Sequence, residues 1–137
     1  MALSRHELRY KAMIILYQIF LYESNDIKYN IDEIIREQLE ETSKYVSSIV
    51  KGVIEKRKSI DEIANKYLKD WNIERLGNTD QAIIRMSIYE LLYTKTPEVV
   101  VINEAVELAK SYSDDSVKNM INGILDKIYH DKVDNHE

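Results

Sequence analysis

Three histidines, His6, His130 and His136, are the first residues to test for chemistry. No two of them stand four apart, and no His-Glu-x-x-His pattern occurs, so the spacing offers no metal-ligand set. There is no cysteine, which excludes a thiolate nucleophile, a disulfide and a cysteine metal site. That usage fits a reducing compartment. Ser48-Ile-Val-Lys51 has the spacing of a serine nucleophile with a lysine base. It lies within helical periodicity and has no supporting motif, so it reads as a chance match. The three glycines are scattered, and no glycine-rich phosphate loop is formed. The carboxylates fall on the outer faces of amphipathic stretches, as solvated charge does, rather than as a general acid–base pair. The expectation is a protein that is not an enzyme and uses no cofactor or metal.

Binding remains. Residues 1–11 carry Arg5, Arg9 and Lys11 against Glu7, with His6 and the terminal amine beside them. Arg5 and Arg9 stand four apart, so on a helix they share a face and can contact phosphates. The chain as a whole is acidic, at −5. Residues 23–41 hold seven acids and two bases and account for that whole excess. A small basic end on such a chain can steer a polyanion. Ten tyrosines could stack bases, although most fall in apolar stripes.

Helices must position these residues. Three glycines and one proline are too few for a turn-rich β fold, and helical periodicity runs almost throughout. The first helix is expected from Ser4 to Glu23, opened by a Ser4/Glu7 capping box. A second begins at Asn30 and a third follows Thr42. Gly52 inside the third suggests that another backbone passes close by. A fourth starts at Ser59, boxed by Glu62. A loop covers Asp70 to Asn78, and a fifth helix runs from Thr79 to Tyr93. Pro97 separates it from a sixth, Val100 to Ser111, and a seventh spans Asp114 to Tyr129. The fold class is therefore all-α, a bundle of about seven helices. One domain is expected over 1–131, with a flexible polar tail over 132–137. The longest apolar run, Ala12 to Tyr22, is interrupted by Gln18 and is roughly half the length of a membrane span. The polar N-terminus is not a secretory signal. A cytoplasmic protein with no membrane partner is expected.

Four segments in combination carry a resemblance. Leu68 to Gly77 (LKDWNIERLG) is followed by Asp80 to Leu92 (DQAIIRMSIYELL). Val101 to Lys110 (VINEAVELAK) and Ile121 to Lys127 (INGILDK) complete the series. With Arg5, Arg9, Ala12 and Leu16-Tyr17-Gln18 at the front, the chain resembles the NusB family of bacterial transcription antitermination factors over essentially its whole length. The resemblance implies a fold of two packed helical subdomains. It implies binding of the single-stranded boxA element of nascent RNA together with NusE, the small-subunit ribosomal protein. It also implies entry into the elongating RNA polymerase complex, chiefly on ribosomal RNA operons. Carried over by position, the family's RNA surface falls on Arg5, His6, Arg9, Tyr17, Lys118, Asn119 and Met120. His6 stands where the family often has arginine, Met120 where it usually has phenylalanine, and Ser113 where it usually has glycine. A methionine makes a weaker and less defined contact with a base than an aromatic ring does. The resemblance places the NusE-facing surface around the fifth helix, with Asp80, Arg85 and Glu104 as candidates. Ordinary salt bridges or caps explain those three equally well.

Two rival readings accompany this one. The same resemblance extends to the RNA-binding domain of ribosomal RNA cytosine methyltransferases; a chain running only from Met1 to Glu137 favours a stand-alone factor. The other rival is a structural helical protein that self-associates, burying its basic surface in a homodimer.

Overall fold

The computed structural model describes residues 2–134, and every regular element in them is helical. Six α-helices follow in order: α1 (Arg5–Ser24), α2 (Ile31–Gln38), α3 (Lys44–Tyr67), α4 (Asn78–Tyr93), α5 (Glu98–Tyr112) and α6 (Asp115–Asp134). A single 3₁₀ turn, Ile73–Arg75, lies between α3 and α4.

Local chemistry sets several starts. Ser4 accepts from the Glu7 amide while the Glu7 carboxylate accepts from the Ser4 amide, closing the expected capping box. Asn30 caps α2 and Ser43 caps α3 through their side-chain oxygens. Asp114 accepts from the Val117 amide ahead of α6.

The expected third and fourth helices are one. Val46, Ile49, Val50, Val53, Ile60 and Ala64 form a continuous buried stripe along α3. The charged interval between Val53 and Ile60 looks like a break in sequence. It contains no glycine or proline, and Arg57 within it is anchored to Glu23 of α1 by two hydrogen bonds of 2.6 and 2.9 Å. Ser59 and Glu62 are thus mid-helix residues rather than a cap. Gly52 has a packing reason, and it is a side chain: a Cβ there would overlap the ring of Tyr89. α6 runs through Asp134, three residues into the expected tail. The rest of that tail, including His136, lies outside the described residues.

α1, α2 and α3 form one group and α4, α5 and α6 the other. α4 joins them, packing against α1, α3, α5 and α6. Such a helix is buried nearly all round, and residues 81 to 88 of α4 are all buried. Four polar residues go in with it: Gln81, Arg85, Ser87 and Glu90. Among the described residues, every buried side-chain polar atom has a hydrogen-bond partner.

Candidate nucleic-acid interface

The first turns of α1 carry the candidate cations, and the fold separates them sharply. Arg5 is exposed, and its guanidinium carbon lies 4.0 Å from the centroid of the Tyr45 ring. That is a cation–π seat which leaves the edges of the guanidinium open to solvent. Arg9 is 4 % exposed and does not reach the surface. Its Nε and Nη2 donate to the two carboxylate oxygens of Glu90 at 2.8 and 3.0 Å. Tyr45 donates its hydroxyl to Glu90 Oε1 at 2.8 Å, and Thr96 donates to Oε2 at 3.3 Å. Burial opposes the charge on Arg9, but the hydrogen bonds and charge of Glu90 outweigh it and raise the guanidinium pKa. Burial, reinforced by the Glu90 charge, likewise pushes the Tyr45 hydroxyl far up.

Arg9 is therefore corrected from a phosphate contact to an internal ion pair. The sequence held a signal for this. Arg9, Met13, Leu16 and Phe20 follow one helical stripe, and the other three are core residues. Arg9 still acts on the surface indirectly, because Arg9–Glu90 fixes the Tyr45 ring on which Arg5 rests.

His6 is exposed, but its Nδ1 lies 2.7 Å from Glu104 Oε2 on α5. The pair ties α1 to α5, so the candidate RNA residue and the candidate NusE residue are each other's partners. Tyr17 is partly exposed on a shallow recess of about 260 Å³ with Tyr10, Met13, Ile14, Thr79 and Tyr112. Tyr10 and Tyr112 stack there, with centroids 5.0 Å apart. Neither was singled out from sequence, since their meeting depends on how α5 crosses α1.

On α6, Asn119 is exposed, whereas Lys118 and Met120 are half-buried. Lys118 Nζ stands 3.8 Å from Asp115, and Met120 packs against the core. No hydrogen bond or ion pair among the described residues joins these three to α1. α6 begins just after Ser113, whose hydroxyl donates to Asp80 at 2.6 Å. This bond holds the α5–α6 corner against the start of α4.

Two of the three NusE candidates thus have internal partners that leave some surface free. Asp80 and Glu104 are both half-buried. Arg85 is corrected outright: it is 3 % exposed, chelates Asp61 through Nε and Nη2 at 2.8 and 2.9 Å, and donates through Nη1 to Gln81. Its guanidinium also lies over the Phe20 ring. Lys51 of the Ser48/Lys51 spacing pairs with Asp32 at 2.9 Å on the surface. Among the described residues no group of histidines and acids could hold a metal ion. No described helix is long and apolar enough to cross a membrane.

An all-helical fold of two groups hinged on a buried α4, with a cation presented on a tyrosine at the front of α1, defines a helical binding module. The chain belongs to the NusB family, whose model matches residues 6–130. A transcription antitermination protein NusB from an Exiguobacterium species is 42 % identical over 129 residues, covering 92 % of this chain and 97 % of the relative. A solved structure of NusB from T. maritima superposes with a TM-score of 0.82 at 30 % identity, covering 95 % of this chain and 93 % of that one. A structure of antitermination factors NusB and NusE in complex with double-stranded RNA matches with a TM-score of 0.77 at 27 % identity, covering 92 % and 96 %.

Proposed function

We propose that this chain is a transcription antitermination factor that binds boxA RNA together with NusE and joins the elongating RNA polymerase, chiefly on ribosomal RNA operons. The observation that carries the reading is likeness along nearly the full length of both chains to a NusB solved with NusE and RNA. Family membership over residues 6–130 supports it. The work is recognition rather than catalysis, and its place is the cytoplasm, where nascent transcripts are made. Residues 1–131 act as one RNA-binding unit.

The RNA contacts we infer are Arg5, Tyr17, Lys118, Asn119 and Met120, with His6 available when Glu104 releases it. Arg5 contacts phosphate and so sets register and affinity; base edges and stacking supply the specificity. Asp80 and Glu104 remain NusE-facing candidates. NusE raises RNA affinity because a partner held on the same RNA increases the effective concentration of the second contact.

Transcription with purified polymerase over a boxA leader and a downstream terminator tests this function. Adding the chain with NusE and the remaining elongation factors should increase readthrough, and a scrambled boxA should abolish the gain. Equal readthrough with and without the chain would remove the proposal.

A further inference from the structure

The seam where α3 meets α4 carries a second feature that the α1 surface does not absorb. Tyr45, Ser48, Gly52, Lys56 and Ser59 recur at helical spacing along one edge of α3, and none of them is acidic. Gly52 admits the hydroxyl end of the Tyr89 ring against that edge. Tyr89 stacks on Tyr93 one turn further along α4, with centroids 5.5 Å apart and planes 25° apart. Tyr93 is 41 % exposed, and the ammonium of Lys56 lies 5.8 Å from its ring centroid. The seam therefore begins with Arg5 over Tyr45 and ends with Lys56 over Tyr93. Each end is a cation resting on a tyrosine.

The charge around the seam favours a polyanion. Glu90, the acid of α4 nearest these rings, is buried and neutralised by Arg9. Lys95 is exposed two residues beyond Tyr93, and Glu55 is the acid that flanks Lys56 on α3. Of the six cations on α3, Lys51 is paired with Asp32 and Arg57 with Glu23, which leaves Lys44, Lys56, Lys58 and Lys66 against the three acids of that helix. Tyr93 is the exposed ring of the seam, and Tyr45 and Tyr89 are half-buried behind it. A cation beside an exposed ring is what a single-stranded nucleic acid needs: a phosphate meets the charge, and a base meets the π-face.

We propose that this seam is an extension of the RNA-binding surface, taking single-stranded RNA that flanks the boxA element, with Lys56 on a phosphate and Tyr93 against a base. The proposal rests on the RNA-binding function above and adds residues and a direction to it. It also gives the RNA a continuous path, because Arg5 belongs both to the α1 surface and to the start of the seam.

The test compares wild type, Lys56→Gln and Tyr93→Leu on a boxA-length RNA and on the same RNA extended at either end. Both side chains are exposed, and unchanged melting curves would verify that the variants fold. On one extended RNA, Lys56→Gln should flatten the slope of log K against log salt by about 0.7, the value for one phosphate on a single strand. Tyr93→Leu should weaken the same RNA by roughly fivefold or more, the low end for losing a stacked base, with the slope unchanged. Neither variant should alter binding of the short RNA. Photocrosslinking of extended RNA to the wild-type chain should label the peptide containing Tyr93. Wild-type binding of every extended RNA by both variants overturns the proposal. So does loss of NusE binding with RNA binding intact, which would make the seam a protein surface. Failure of the wild type to bind even the short RNA removes the parent reading, and the two failures are told apart by that control.

Discussion

Removing Arg9 should be far more damaging to the fold than to the charge of the RNA surface. Both partners of the Arg9–Glu90 pair are almost fully buried, and the two carboxylate oxygens are served by Arg9, Tyr45 and Thr96. Taking away the guanidinium leaves Glu90 charged in the interior. Breaking a buried pair in this way costs about 3–5 kcal/mol. For a domain of this size, that lowers the melting temperature by roughly 10–20 °C. Replacing both partners with apolar residues of similar volume removes the stranded charge, so the double variant should regain most of the loss. Arg9→Met, Glu90→Leu and the double variant, followed by circular dichroism through thermal unfolding, complete a double-mutant cycle. Additive losses, with the double variant least stable of all, would refute the reasoning. A loss below about 1 kcal/mol in Arg9→Met would refute it too, since exposed pairs give values of that size.

Gly52→Ala should destabilise the protein by about 1–3 kcal/mol, the range for overpacking, because the new methyl overlaps the Tyr89 ring and this outweighs the gain in helix propensity; denaturant midpoints would measure it, and combining it with Tyr89→Leu should recover part of the loss. The hydrogen bonds from Arg57 hold the Glu23 carboxyl below its usual value of 4.5 despite partial burial. A depressed carboxylate contributes stability that is present above its unfolded pKa and disappears as pH falls through the folded one. Glu23→Gln should accordingly be less stable than wild type at neutral pH, with the difference shrinking below about pH 4.5; a difference independent of pH would contradict the ion pair. Arg5→Ala should flatten the salt dependence of RNA binding by about 0.7, and boxA and scrambled RNA should weaken alike. Met120→Ala should weaken boxA more than scrambled RNA and leave that slope unchanged.

The helical class and most helix starts are legible in the sequence because they are local. Ser4 with Glu7 and Asn30 with Glu33 act within one turn, and Pro97 stops one helix and opens the next. The single α3 is not legible in that way. Its charged middle is held by Arg57 reaching Glu23, a partner 34 positions away. The site divides along the same line. Arg5 reads correctly as an exposed cation, but the ring beneath it comes from a helix 40 residues on. Arg9 and Arg85 read as surface charges because arginine usually is one. Their positions in apolar stripes were the available counter-signal, and Glu90 and Asp61 are the distant partners that make burial tolerable.

Binding of labelled boxA RNA at a fixed salt concentration, with and without saturating NusE, decides whether this chain recognises boxA as a partner of NusE. With NusE bound, the chain should prefer boxA over a scrambled RNA of equal length. NusE should also tighten the complex beyond what either protein achieves alone. Equal affinity for the two RNAs in the presence of NusE, or no tightening when NusE is added, would contradict that recognition.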